Sequence, residues 1–479
     1  MKRLATLVLA VAVLFSFVAA CAAPTPEVVE KEVIVEKEVP VTVEVEKEVV
    51  VEKKVVETVE VEVTREVIVD PTACNLEPPE SPIRIDMIGW TFPVTEFYAE
   101  ELEKCSKVAN LEVNAQLLDS GSAGEQQDLA LAAVGKSPFE IFHTTENSIA
   151  EYASQGWLFP LNDLIEEYRE EYDLDDIIGT YWEMATYEGK IYGIPLIGNT
   201  KHLFYRPDLL EKYGLDVPET YDDVIAACEV LKQEDSIDLP FTINLHAGWA
   251  WNGEFTDFYG SFRGNNLLLN EDNTPAFNGP EGLAAVEKLL EVVDACMGEE
   301  GLTYSIDDSE IGMETGGLAM VQTWASRAAN MDDPDKSEFV GGIGFAPAPR
   351  ACPDCPHAGG TWADFYSIPA RWEVDPDLIF RVIMEAADLQ SQMEAAELSI
   401  VTRGTVVERG AGGRYLEAAL ETIANGPGGM GKNPARVIAT TAIGNWLPLT
   451  ATGELTPQEA LDAAAEEYIR EATAQGYLD

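Results

Sequence analysis

Ile83-Arg84-Ile85-Asp86-Met87-Ile88 reads as a β-strand. Residues 94–108 then read as a helix, 111–117 as a strand, 125–134 as a helix, 139–142 as a strand, and about 146–153 as a helix. Strands alternating with helices at this spacing predict an α/β fold with a largely parallel sheet. Further on, Leu283, Val286, Leu290, Val293 and Met297 form one apolar stripe. Thr456-Pro457-Gln458-Glu459 is a capping box with proline at the first helical position, and it opens a last helix whose inner face is Leu461, Ala464, Ala465 and Tyr468.

Working outward toward the amino end, residues 27–69 are almost only Val, Ile, Glu, Lys and Thr, in near repeats such as Glu36-Lys37-Glu38-Val39. The valines sustain neither a heptad nor a helix stripe, and β-branched side chains disfavour an isolated helix. The segment reads as a charged, extended stalk, with a coiled coil or a small β-arrangement as the alternative. Ahead of it, Lys2 and Arg3 open an apolar run from Leu4 to Val18, of signal-peptide length and short for a membrane span. The run ends in Val18-Ala19-Ala20-Cys21, which resembles the lipobox of bacterial lipoproteins. That resemblance implies cleavage after residue 20 and lipid on Cys21, several acyl chains making a stable anchor. An ordinary cleaved signal is the rival. The expected plan is a leader over 1–20, an anchored stalk over 21–73, and a globular body long enough for two lobes with real cores.

The whole chain carries 31 basic against 85 acidic residues, a net charge of −54. Since the stalk holds only 13 of those acids and 6 of the bases, the acidity belongs to the body. Such a field repels nucleic acid and anionic lipid. It also makes neighbouring carboxylates uninformative about acid/base catalysis.

Six cysteines follow Cys21, an even number that favours disulfides outside the cytoplasm. Cys352 and Cys355 are close enough to close a small loop. Chain position suggests Cys74 with Cys105 and Cys228 with Cys296, among the pairings six cysteines allow. His357 adds one further donor near Cys352, too few for a zinc site, so no metal and no cofactor is expected. Gly426-Pro-Gly-Gly-Met-Gly-Lys-Asn433 approaches a phosphate-binding loop, but Asn433 replaces the magnesium-binding hydroxyl and Pro434 opposes the helix that should follow. No His-Glu-x-x-His or Gly-x-Ser-x-Gly motif occurs, and none of the four histidines sits in a recognisable catalytic context.

Several stretches, in order, carry a second resemblance. They are Gly189-Lys-Ile-Tyr-Gly-Ile-Pro-Leu196, Leu203-Phe-Tyr-Arg-Pro-Asp-Leu-Leu210, Val217-Pro-Glu-Thr-Tyr-Asp-Asp223, Gly317-Leu-Ala-Met-Val-Gln-Thr-Trp324, Ile343-Gly-Phe-Ala-Pro-Ala-Pro349 and Gly453-Glu-Leu-Thr-Pro-Gln-Glu-Ala-Leu461. Over nearly its whole soluble length the chain resembles the extracellular solute-binding proteins of ABC importers, in the sugar-binding group related to the maltose-binding protein. The resemblance implies a two-lobed clamp with a hinge that the chain crosses more than once, one lobe over 75–197 and 350–400, the other over 198–349 and 401–479. It also implies a monomer that binds its ligand without chemistry and hands it to a membrane permease.

A sugar presents apolar faces and a rim of hydroxyls, so its site needs aromatic platforms and side chains that donate and accept. Trp90, Trp249, Trp251, Trp324 and Trp362 fall in or beside loops, and Trp324 matches the stacking tryptophan of the family; burial in a lobe core is the rival for each. Thr144, Thr145 and Asn147 align with a loop that holds sugar hydroxyls, against simple helix capping. Asn199 lies where relatives carry a ligand-binding polar residue, and Asp364 lies by a crossing, with a hinge hydrogen bond as its rival. Capture of a sugar, oligosaccharide or sugar alcohol is the favoured function. A surface glycosidase, a sensor, or a binder of polyamines or peptides are the alternatives.

Overall fold

The computed structural model describes residues 73–133, 135–246 and 249–478; the leader, Cys21 and the stalk through residue 72 lie outside the described residues. Twelve strands are present among the described residues: β1 Ile83–Trp90, β2 Leu111–Leu118, β3 Ile141–Thr145, β4 Thr186–Tyr187, β5 Lys190–Ile191, β6 Ile194–Asn199, β7 Lys201–Tyr205, β8 Leu239–Thr242, β9 Leu318–Trp324, β10 Gly344–Ala346, β11 Trp362–Ser367 and β12 Ile400–Val401. They build a six-stranded sheet in the order β12-β6-β11-β3-β1-β2, a four-stranded sheet in the order β10-β7-β9-β8, and the hairpin β4-β5. The hairpin turns at Glu188 and Gly189, with φ of 47° and 76°, as a tight two-residue turn between right-twisted strands requires.

The alternating pattern that opens the body folds as read. β1 is followed by the helix Pro93–Glu103, β2 by the helix Ser120–Ala132, and β3 by the helix Glu146–Ser154. The expectation of a largely parallel sheet is corrected. β1 runs parallel to β2 and β3, but β11 is antiparallel to β3 and β6, and β12 is antiparallel to β6. In the second sheet only the β8–β9 pair is parallel. The cause is connectivity: β11 and β12 enter the first sheet after the chain has visited the second, so no local βαβ crossover fixes their direction.

Each sheet has its own core. Ile85, Tyr98, Ile141, Leu196, Phe380 and Ile383 pack under the six-stranded sheet, and Phe241, Phe255, Phe258, Leu289, Ile443 and Tyr468 under the four-stranded one. Fully burying such side chains contributes about 1.5–3 kcal/mol each before chain entropy is counted. The last helix, Pro457–Ala474, is capped by Thr456 and Glu459 and buries Leu461, Ala464, Ala465 and Tyr468. In the helix Pro280–Val292 the buried line runs through Ala285, Val286, Leu289 and Val292, with Leu283 and Leu290 only partly buried, so the expected stripe is rotated slightly. A π-helical turn, Val293–Met297, follows and brings Cys296 to Cys228. Cys74 is joined to Cys105, and Cys352 to Cys355.

The two sheets are connected by very little chain. A single residue, the buried Thr200, separates β6 from β7. Asn199 pairs with Trp362 on β11, and Lys201 pairs with Trp324 on β9. A crossing this short holds the end of β9 against the start of β11.

Candidate functional site

From the six-stranded sheet come the end of β1 with Trp90, the β3–helix junction with Thr145, Glu146 and Asn147, the end of β6 with Asn199, and the start of β11 with Trp362 and Asp364. From the other side come Lys201, Trp324, Asn244 just past β8, Glu254 and Asp257 on the helix Trp249–Arg263, and Arg436 at the start of the helix Arg436–Trp446. Apart from Glu254 and Asp257, which lie inside their helix, these are strand ends and helix starts, where backbone groups and side chains converge and ligands bind in α/β folds.

The indoles of Trp324 and Trp362 meet edge to face, 5.1 Å between centroids and 84° between planes. The Lys201 ammonium lies 5.2 Å from the Trp324 ring centre and 2.8 Å from both Glu254 Oε1 and Asp257 Oδ2. All three charged side chains are buried. Burial pulls the Lys201 ammonium toward neutrality, yet the Asp257 and Glu254 carboxylates outweigh it and hold its pKa above the ordinary lysine value. The same burial pushes the Glu254 and Asp257 carboxyls up.

A second charged group adjoins the first. Arg436 donates to Asn147 Oδ1 at 2.6 Å, and the Met430 backbone N–H donates to Glu146 Oε1 at 3.1 Å. Burial raises the Glu146 carboxyl to about 7, against the pull of Arg436, and lowers Arg436 to about 10. Part of the glycine-rich stretch that mimics a phosphate loop packs here: a Cβ on Gly429 would sit 2.7 Å from Glu146 Oε1, so a side chain there would displace the Glu146 carboxyl.

Several buried polar atoms in this region have no partner in the chain: Glu146 Oε2, Glu254 Oε2 and Asn244 Oδ1, which accept, and Trp362 Nε1 and Arg436 Nε, which donate. Orphaned buried polar atoms are rare in native proteins. Acceptors and donors mixed beside aromatic rings suit a molecule whose groups do both, as hydroxyls do.

The residues expected from the sequence divide. Trp324, Trp362, Asn147 and Asp364 stand in this region, Asp364 Oδ1 being 3.8 Å from Nε2 of the buried His143. Trp90 stacks on the His143 ring at 3.9 Å and 18°. Asn199 has its amide spent at the crossing, donating to Ser326 Oγ at 3.1 Å and accepting from the backbone N–H groups of Thr200 and Ser326. Thr145 is the N-cap of the helix Glu146–Ser154, its N–H donating to Ser148 Oγ. Two others are engaged within the sheet or the core. Thr144 is buried, with its hydroxyl bonded at 2.7 Å to Ser367 Oγ within the sheet. Trp251 is 3% exposed and belongs to the core under the four-stranded sheet, where it packs with the aromatic residues of its own helix. Trp249 opens that helix, and its side chain lies outside the described structure.

Sequence reasoning missed Lys201, Glu254, Asp257, Glu146 and Arg436. A signal existed for two of them: Glu254 and Asp257, one helical turn apart in Trp251-Asn-Gly-Glu-Phe-Thr-Asp-Phe-Tyr259, are surrounded by aromatics that must be buried, so the carboxylates are drawn in and need a cation.

Two lobes joined at strand crossings, with charged and aromatic groups gathered between them, define a periplasmic-binding-protein-like clamp. The chain belongs to the bacterial extracellular solute-binding protein family, whose model matches residues 94–370. It is similar to the mannitol-binding protein of Pseudomonas aeruginosa, 24% identical over 220 residues that cover 44% of this chain and 48% of that protein. The matched stretches span between 27% and 48% of the first curated relatives. Among solved structures, a solute-binding protein of Agrobacterium radiobacter in complex with ribitol superposes with a TM-score of 0.73 at 20% identity, covering 82% of this chain and 100% of that one. One from Agrobacterium vitis with bound D-mannitol gives 0.71 at 19%, covering 83% and 99%. The likeness to both shows the fold. No helix among the described residues is long and apolar enough to cross a membrane.

Proposed function

We propose that this chain is the substrate-capturing subunit of an ABC importer. Its two lobes, 75–197 with 350–400 and 198–349 with 401–479, close on a sugar, oligosaccharide or sugar alcohol and deliver it intact to a membrane permease. The observation that carries this reading is the pair Trp324 and Trp362, one from each sheet, set beside buried donors and acceptors that lack partners. An aromatic surface next to two-way hydrogen bonding is what a polyhydroxyl compound requires. The relatives that bind mannitol and ribitol support the same chemistry. Cys21 would carry the lipid that holds the chain, as a monomer, on the outer face of the membrane, and residues 21–73 would lift the body off it.

The test is a thermal-shift screen of the full chain against polyols, monosaccharides, oligosaccharides, polyamines and short peptides. A ligand at 100 times its dissociation constant adds about 2.7 kcal/mol of stability, so a true ligand stands out from additives. Stabilisation by a polyol or sugar recovered unchanged supports the reading. Stabilisation by peptides or polyamines alone contradicts it.

A further inference from the structure

Glu254, Asp257 and the face of Trp324 together make what an ammonium ion needs: two carboxylates at hydrogen-bonding distance and an aromatic ring beneath. In this protein the position is occupied by the chain's own Lys201, fixed there because its backbone pairs with Trp324 one residue past the crossing.

We infer that Lys201 fills a cation subsite from within and thereby closes the cleft to cationic ligands. The inference rests on the proposed capture of a polyhydroxyl compound and names the charge class of that ligand. A ligand amine finds both carboxylates engaged and meets the repulsion of Lys201 and the nearby Arg436. A neutral polyol meets neither obstacle, and its hydroxyls suit the orphaned oxygens of Glu254 and Asn244. Lys201 is therefore a specificity-determining residue, and truncating it should convert a closed subsite into an open one for a small alkylammonium.

The experiment uses the full chain, Lys201→Ala and Lys201→Met, with n-propylammonium chloride as the probe, and potassium chloride and 1-propanol as controls. For the wild type, propylammonium should shift the melting temperature no more than potassium chloride does. For Lys201→Ala it should raise the melting temperature by several degrees beyond both controls, and it should bind at least about tenfold more tightly than to the wild type. Lys201→Met keeps the volume filled and should gain nothing. An alanine variant that folds only when propylammonium is supplied supports the inference equally. Stabilisation of the wild type by propylammonium, an equal response in Lys201→Met, or no recovery of Lys201→Ala overturns it. Failure of the wild type to bind any polyol or sugar would instead remove the proposed function, a separate outcome read from different ligands.

Discussion

Trp324 ends a strand of one sheet and Trp362 begins a strand of the other, and their rings touch edge to face at 5.1 Å across the chain crossing at Thr200. Strand register enforces the contact, because Trp362 pairs with Asn199 and Trp324 with Lys201, the residues on either side of Thr200. The contact joins the two sheets beside the crossing, so a hinge movement of one lobe against the other would act on it.

Trp324→Ala should weaken ligand binding by about 1–3 kcal/mol, the scale of one lost aromatic contact and its buried area. The indole is only partly buried, so the melting temperature of the empty protein should change little. Calorimetry and thermal unfolding on the same variant decide the matter. Unchanged affinity with a large fall in melting temperature would make Trp324 a core residue, for which a loss of about 3–5 kcal/mol is usual.

Stability should fall as pH rises from 5 to 8. Burial raises the folded-state pKa of Glu146 to about 7, above its unfolded value, so the folded protein holds a proton that the unfolded chain has released. The stabilising effect is fully present below the unfolded pKa and is lost as pH passes through 7. Glu254, also pushed up by burial, acts in the same sense. Urea unfolding at several pH values should show a shallower pH slope in Glu146→Gln than in the wild type. An equal slope in both would assign the effect to other carboxyls.

The exported body should hold no free thiol, its six cysteines being paired as Cys74–Cys105, Cys228–Cys296 and Cys352–Cys355. Reduction should lower the melting temperature, a native disulfide typically contributing about 2–4 kcal/mol. Maleimide labelling of the folded, unreduced protein at several of these positions would count against the pairing.

Cys21→Ala should release the protein from membranes and leave ligand affinity unchanged, since residues 21–73 separate the anchor from the body. Unaltered membrane partitioning of the variant would show that the lipobox reading is wrong.

Much of the fold was legible in the sequence because its elements are locally coded. The apolar run at 83–88 and the capping box at Thr456 each specify an element from a few neighbouring residues, and the strand and the helix both fold as read. The direction of β11 was not legible, being set by where the chain returns after visiting the other sheet. In the site, Trp324 and Trp362 could be proposed because aromatic residues at strand ends are conspicuous. The Thr144 hydroxyl bonds across strands to Ser367, and a hydroxyl so engaged looks the same in sequence as one facing a ligand. Lys201 escaped notice because its meaning depends on Glu254 and Asp257, more than fifty residues away and brought near only by folding.

The most direct test of sugar or polyol capture between the lobes is a crystal structure of the full body with the compound selected by the stability screen. The expected result is an uncharged polyhydroxyl ligand between the two sheets, with carbon atoms within about 4 Å of the Trp324 and Trp362 rings and hydroxyls on the orphaned oxygens of Glu254, Asn244 or Glu146. A ligand bound away from both tryptophans, or one with a charged group seated against Lys201, would contradict it.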